Sequence, residues 1–218
     1  MTVIVDYRAG NLTSVQWALE ELGCPGRITA DPAAVAAAER IIFPGVGAAG
    51  AAMAFLRTSG LAEALRRAAR SGTPFLGICL GMQILFERSE EDDGVETLGI
   101  LPGEVRRFRP ANPRDKVPHM GWNRVRWARA HPVLAGLPSE EYFYFVHSYY
   151  AVPTRPMDVL GVCDYAGAPF CAAVAHANLI ATQFHIEKSG RAGLALLERF
   201  LRWDGRGADN DRPGGGPC

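Results

Sequence analysis

The chain alternates between short apolar runs and stretches in which apolar residues recur at helical spacing. Residues 2–7 ("TVIVDY") form a strand-like run, after which Leu12, Val15, Leu19 and Leu22 share one helical face, with Asn11 as the expected N-cap and Gly23 as the stop. The pattern repeats. Residues 40–47 ("RIIFPGVG") predict a buried strand closed by a Pro/Gly turn, and a helix over about 51–70 would turn Leu56, Leu61 and Leu65 inward. A third unit, 73–86 ("TPFLGICLGMQILF"), passes from a strand to a helix pattern around Cys79. Strands alternating with helices need crossover connections, which predicts an α/β fold with a mostly parallel sheet and helices on both faces. Ligands on such sheets sit at the carboxyl ends of the strands.

The second part has a different rhythm. "VRRF", "RVRW", "EYFYFVHSYYAV", "FCAAVA" and "LIATQFH" are short β-rich runs separated by Pro, Gly and Asn. They predict antiparallel strands added to the sheet or forming a small side sheet. A last helix carries Leu194, Leu197 and Leu201 on one stripe. From Asp204 onward apolar residues almost vanish, so the expected organisation is one domain over 1–203 followed by a disordered tail, 204–218.

Lys+Arg and Asp+Glu each number 23, so nothing electrostatic points to nucleic acid or a membrane surface. The first apolar run is too short to span a bilayer and follows no basic segment, which predicts a cytoplasmic protein. Cys24, Cys79, Cys163, Cys171 and Cys218 are odd in number and scattered, without metal-ligand spacing. Reduced thiols and no metal are the expectation.

Three pieces can carry chemistry. Gly77-Ile78-Cys79-Leu80-Gly81 has the form of a nucleophile elbow with cysteine as the nucleophile. A sharp strand-to-helix turn strains the nucleophile's backbone and requires small neighbours, while the amide of Leu80 can face an oxyanion and the following helix can favour an anionic sulfur. A buried core cysteine is the bland alternative. In "TQFHIEKSG", His185 and Glu187 stand two apart, so on an extended strand both project to one side and the acid can orient the base. His119, His131, His147 and His176 lack a carboxylate at that spacing, and His131, before Pro132, is expected at the surface. Finally, Gly45-Val46-Gly47 after Pro44 can present backbone N–H groups to an oxyanion or carboxylate. The segment lacks the lysine and hydroxyl of a phosphate-binding loop.

Together and in this order, Pro44 to Gly47, Gly77 to Gln83 and His185 to Glu187 resemble the class I (triad) glutamine amidotransferases. The resemblance implies a flavodoxin-like α/β fold and hydrolysis of the glutamine side-chain amide through a thioester on Cys79, with His185 and Glu187 completing the triad and no cofactor. It also implies that Gly45, Val46, Gly47, Leu80, Gln83, Ser148 and Tyr149 form the oxyanion and substrate site. Residues 116–123 ("KVPHMGWN"), with 144–150 ("YFVHSYY"), are similar to glutaminase subunits that pass ammonia to a separate (β/α)₈ cyclase chain. This implies a heterodimer, with Pro118, His119, Met120, Gly121, Trp122 and Asn123 at the interface near the ammonia channel. One domain consumes the ordered chain, and free ammonia is mostly protonated in water, so the acceptor enzyme is expected on another chain. The family usually has H-P-E where this chain has His185-Ile186-Glu187; β-branched Ile186 also favours an extended backbone, so the change should alter rigidity more than chemistry. Competing readings are a glutaminase subunit of another pathway, a noncatalytic glutamine-binding relative, and a cysteine hydrolase acting on another amide or ester.

Overall fold

A computed structural model describes residues 1–8 and 12–207; the Asn11 cap, Cys218 and the tail beyond Gly207 lie outside the described residues. The strands are β1 (Thr2–Val5), β2 (Arg27–Thr29), β3 (Arg40–Gly45), β4 (Phe75–Cys79), β5 (Arg88–Ser89), β6 (Val95–Glu96), β7 (Gly103–Arg107), β8 (His119–Trp127), β9 (Glu140–His147), β10 (Tyr149–Pro153), β11 (Val159–Tyr165), β12 (Ala168–His176) and β13 (Leu179–Thr182). The helices are α1 (Leu12–Glu21), α2 (Pro32–Ala36), α3 (Ala49–Thr58), α4 (Leu61–Arg70), α5 (Leu80–Gln83) and α6 (Gly190–Arg202).

All strands join one sheet in the order β2-β1-β3-β4-β13-β12-β10-β7-β5-β6, with β11, β8 and β9 branching from β12. β2, β1, β3, β4 and β13 are parallel. β12 starts the antiparallel part, which extends through β11 and β8 to β9. The last β-rich run therefore departs from the antiparallel expectation. β13 inserts beside β4 and is buried along its whole length, as a central parallel strand covered on both faces must be. That placement brings the end of β13 beside the end of β4.

Two apolar cores lie on the two faces. One packs α3 and α4 (Met53, Leu56, Leu61, Leu65) over Val3, Phe43 and Phe75; the other packs α1 and α6 (Val15, Leu19, Leu197, Phe200) over Ile4, Ile42 and Leu76. The single helix expected over 51–70 is two helices. Gly60 adopts φ 79°, a left-handed conformation that ends α3 at a sharp corner before α4 starts. β2 and α2 went unread in the sequence, although Asp31 caps α2 by accepting from the Ala33 amide and Pro32 stands in its first turn. His131 is not at the surface. It is 5% exposed, its Nδ1 accepts from the Val133 amide, its ring stands edge-on to Trp203, and burial, with the Arg129 charge, lowers its pKa to about 4.

Candidate active site

β4 delivers Cys79 at its carboxyl end with φ 55° and ψ −111°, the strained conformation expected of an elbow. Gly81 is required beside it, because a Cβ there would run into the carbonyl oxygen of Phe43 on β3. α5 has only four residues, so the helix expected behind the sulfur supplies one turn of amides.

Beyond β13 the chain places His185 with its side chain buried, Nδ1 2.7 Å from Oε1 of the equally buried Glu187. The pair forms as expected but on different backbone geometry: residues Ile186–Lys188 are a 3-10 turn rather than an extended strand. His185 is strapped to β9. Its amide donates to the Tyr144 carbonyl, and the Ser189 hydroxyl donates to the His185 carbonyl while accepting from the Tyr144 amide. Burial alone would depress the imidazole pKa. The hydrogen bond to Glu187 and charge interactions with Cys79 and Glu187 outweigh it and raise the pKa to about 10, favouring the imidazolium.

A cavity of about 450 Å³ opens over the sulfur, lined by Cys79 together with Val46, Gly47, Leu80, Gln83, Ser148 and Tyr149. Six of the seven residues expected around the oxyanion and substrate thus line the cavity with Cys79. Gly45 lies beneath the turn instead, where any side chain would collide with the Tyr7 hydroxyl. That hydroxyl is buried without a hydrogen-bond partner among the described residues, and burial, reinforced by Cys79, raises its pKa well above the usual phenol range. Pro118, Glu91 and His147 also line the cavity. Glu91 accepts from the Ala49 amide and Asp92 from the Gly50 amide, pinning the start of α3 just after the glycine turn. Burial raises the Glu91 pKa.

The polar groups around this cavity fix one another's orientation. The Tyr149 carbonyl can only accept, and it receives Gln83 Nε2 at 2.9 Å and His147 Nδ1 at 2.8 Å. His147 Nε2 is then an acceptor, His119 Nδ1 donates to it at 3.0 Å, and Asn123 Nδ2 reaches His119 Nε2 at 3.2 Å. Both imidazoles are neutral: burial lowers the pKa of His119 to about 4 and that of His147 to about 3. Within the expected interface set His119 is therefore the inward-facing member. β8 alternates, turning His119 inward (3% exposed) while Met120 and Trp122 stay 63% and 56% exposed. Gln183, absent from the expected set, is completely buried and bridges Gln83 to the Cys79 sulfur. Its position two residues before His185 was visible; its inward aim was not.

The model of the class-I glutamine amidotransferase family matches residues 3–203. The chain belongs to this family. The amidotransferase is 50% identical over 214 residues to the imidazole glycerol phosphate synthase subunit HisH of Nitratidesulfovibrio vulgaris strain DP4, covering 96% of this chain and 99% of that one. It is 49% identical over 209 residues to HisH of Methylococcus capsulatus, covering 92% and 95%. Its fold matches a solved glutamine amidotransferase at TM-score 0.71 with 19% identity, covering 93% and 98%. It also matches the Trypanosoma brucei CTPS glutaminase domain with bound acivicin at TM-score 0.62 with 16% identity, covering 92% and 93%. Among the described residues no helix is long and apolar enough to cross a membrane, and no three His, Cys, Asp or Glu side chains gather as a metal site.

Proposed function

We propose that this amidotransferase is the glutaminase subunit of an imidazole glycerol phosphate synthase, and that Cys79, His185 and Glu187 are its catalytic triad. Near-full-length identity of 50% to HisH subunits carries the assignment of pathway. Residues 1–203 act as one catalytic domain, working in the cytoplasm on histidine biosynthesis.

The chemistry follows from the site. The Cys79 sulfur, as thiolate, attacks the side-chain amide carbon of glutamine, and the resulting oxyanion is met by backbone amides of Val46, Gly47 and Leu80, which line the cavity. His185, as imidazolium, gives its proton to the amide nitrogen; the C–N bond breaks, ammonia leaves and a thioester remains. Water then attacks the thioester, its proton passing to His185, and glutamate is released as the C–S bond breaks. Glu187 holds the imidazole in position and stabilises its charged form throughout. Gln83, Ser148 and Tyr149 hold the substrate.

Ammonia passes to a (β/α)₈ cyclase chain docked on the β8–β9 hairpin. Exposed Met120, Trp122 and Tyr142 on that hairpin support this surface, an apolar patch that a solitary subunit would leave in water. Gly121 and Asn123 alternate with Met120 and Trp122 along β8 and complete the docking segment, and Pro118, just before that strand, reaches the cavity that holds Cys79.

The test is glutamate release from glutamine by the purified chain, alone and with the cyclase plus its nucleotide ligand. Activity appearing in the complex and absent from Cys79→Ala is expected. Turnover that survives Cys79→Ala would overturn the triad, and equal turnover without the cyclase would overturn the reading that the glutaminase stays quiet until the cyclase with its ligand is docked.

A further inference from the structure

We infer that Gln183 is a positioning residue that holds the Cys79 sulfur in its reactive, anionic state and links it to the wall of the glutamine cavity. The inference rests on the proposed role of Cys79 and extends it to a side chain outside the triad.

The polarity of the contact is forced by its neighbours. An amide side chain can be turned either way, and only its hydrogen bonds settle which end is which. Here the Tyr149 carbonyl, an acceptor without alternative, requires Gln83 to present Nε2. The same Nε2 lies 3.0 Å from Gln183, which must therefore offer Oε1. That leaves Gln183 Nε2 pointing at Cys79 Sγ, 3.7 Å away, as a donor. Turned over, the amide would set two donors against each other and aim an oxygen lone pair at the sulfur.

Two further observations give the donor weight. Gln183 is 0% exposed, so no water competes for its amide, and its backbone is anchored by donation from its N–H to the Ala172 carbonyl on β12. The helix behind the nucleophile is only four residues long, which leaves little macrodipole to stabilise sulfur charge. The other titratable groups acting with Cys79 are His185, after β13, and Tyr7, after β1. His185 supplies the opposite charge, Tyr7 has a buried hydroxyl whose ionisation burial suppresses, and Gln183 is the neutral donor on the sulfur. Gln83 lines the cavity and Gln183 does not, so occupancy by glutamine is felt at the sulfur through one intervening amide.

Alkylation by iodoacetamide tests this without the partner, the Cys79 peptide being followed by mass spectrometry because Cys24 is exposed and will react as well. Gln183→Met keeps the volume and removes the donor. A hydrogen bond to a charged group is worth enough that its loss should slow alkylation of Cys79 at pH 7 by about tenfold or more. The profile should move to higher pH and converge with wild type where every thiol is ionised. Gln183→Glu, which retains an oxygen for Gln83 but sets a carboxylate against the sulfur, should be slower still. It also serves as the second variant if Gln183→Met melts early. A Gln183→Met profile that superimposes on wild type would overturn the inference, as would a uniform slowing at every pH, which signals altered access. Failure of wild-type Cys79 to react selectively would instead overturn its role as nucleophile.

Discussion

Two imidazoles in this molecule are buried to a similar degree and end in opposite electrostatic states. His147, the last residue of β9, has a carbonyl and a second imidazole for company, and its pKa falls to about 3. His185, at the turn after β13, has a carboxylate and a thiol, and its pKa climbs to about 10. Burial pushes both downward. Only the carboxylate and sulfur beside His185 reverse the sign, so the region around β13 is built to hold a proton and the hairpin region is built to do without one.

The largest effect should come from removing the anion. Glu187→Gln keeps the shape and deletes the charge, placing His185 in surroundings closer to those of His147. Glutamate release by the complex should then fall by about 10³- to 10⁴-fold in kcat, the scale seen when the acid of a triad is neutralised. A loss below tenfold would mean that the thiolate alone sustains the imidazolium.

The second prediction concerns acid. His147 has a folded pKa below its unfolded value, so its stabilising contribution is complete above about pH 6.5 and is lost as pH falls toward about 3. Between pH 6.5 and 5 this amounts to roughly 2 kcal/mol for the one group. Urea unfolding at those two pH values should show wild type losing stability, and His147→Phe losing correspondingly less. Equal losses would remove the contrast between the two imidazoles.

The smallest effect should come from the motif's unusual residue. Ile186 opens the 3-10 turn, a position where proline fits, and its N–H has no hydrogen bond to give up among the described residues. Ile186→Pro should leave kcat within about twofold of wild type. A collapse of activity would show that the turn needs torsional freedom to bring His185 to the sulfur.

Much of this was legible in the sequence, and the reason is local. Strain at Cys79 demands glycine at Gly81, and that demand writes itself into neighbouring letters; the pairing of His185 with Glu187 likewise spans two positions. Of the parallel strands, β1, β3 and β4 were legible because each is followed by an apolar helical pattern, whereas β2 and α2 are too short to show a period and β13 takes its parallel place from β4, far earlier in the chain. What escaped depends on partners distant in the chain. Gln183 matters because of Gln83, a hundred positions earlier in sequence, and His119 turns inward because β9 supplies His147 opposite it. The 3-10 turn at Ile186 was invisible for the same reason, since Ser189 and Tyr144 together decide the backbone path there.

The left-handed backbone of Cys79 has a consequence for the life of the molecule. A β-carbon at φ 55° opposes the fold, and glycine would occupy the same corner more comfortably. Random change at this codon can therefore produce a chain that folds better and does nothing. Selection for thermal robustness alone would drift toward that sturdier, inert form, and only the demand for ammonia keeps the uncomfortable residue in place.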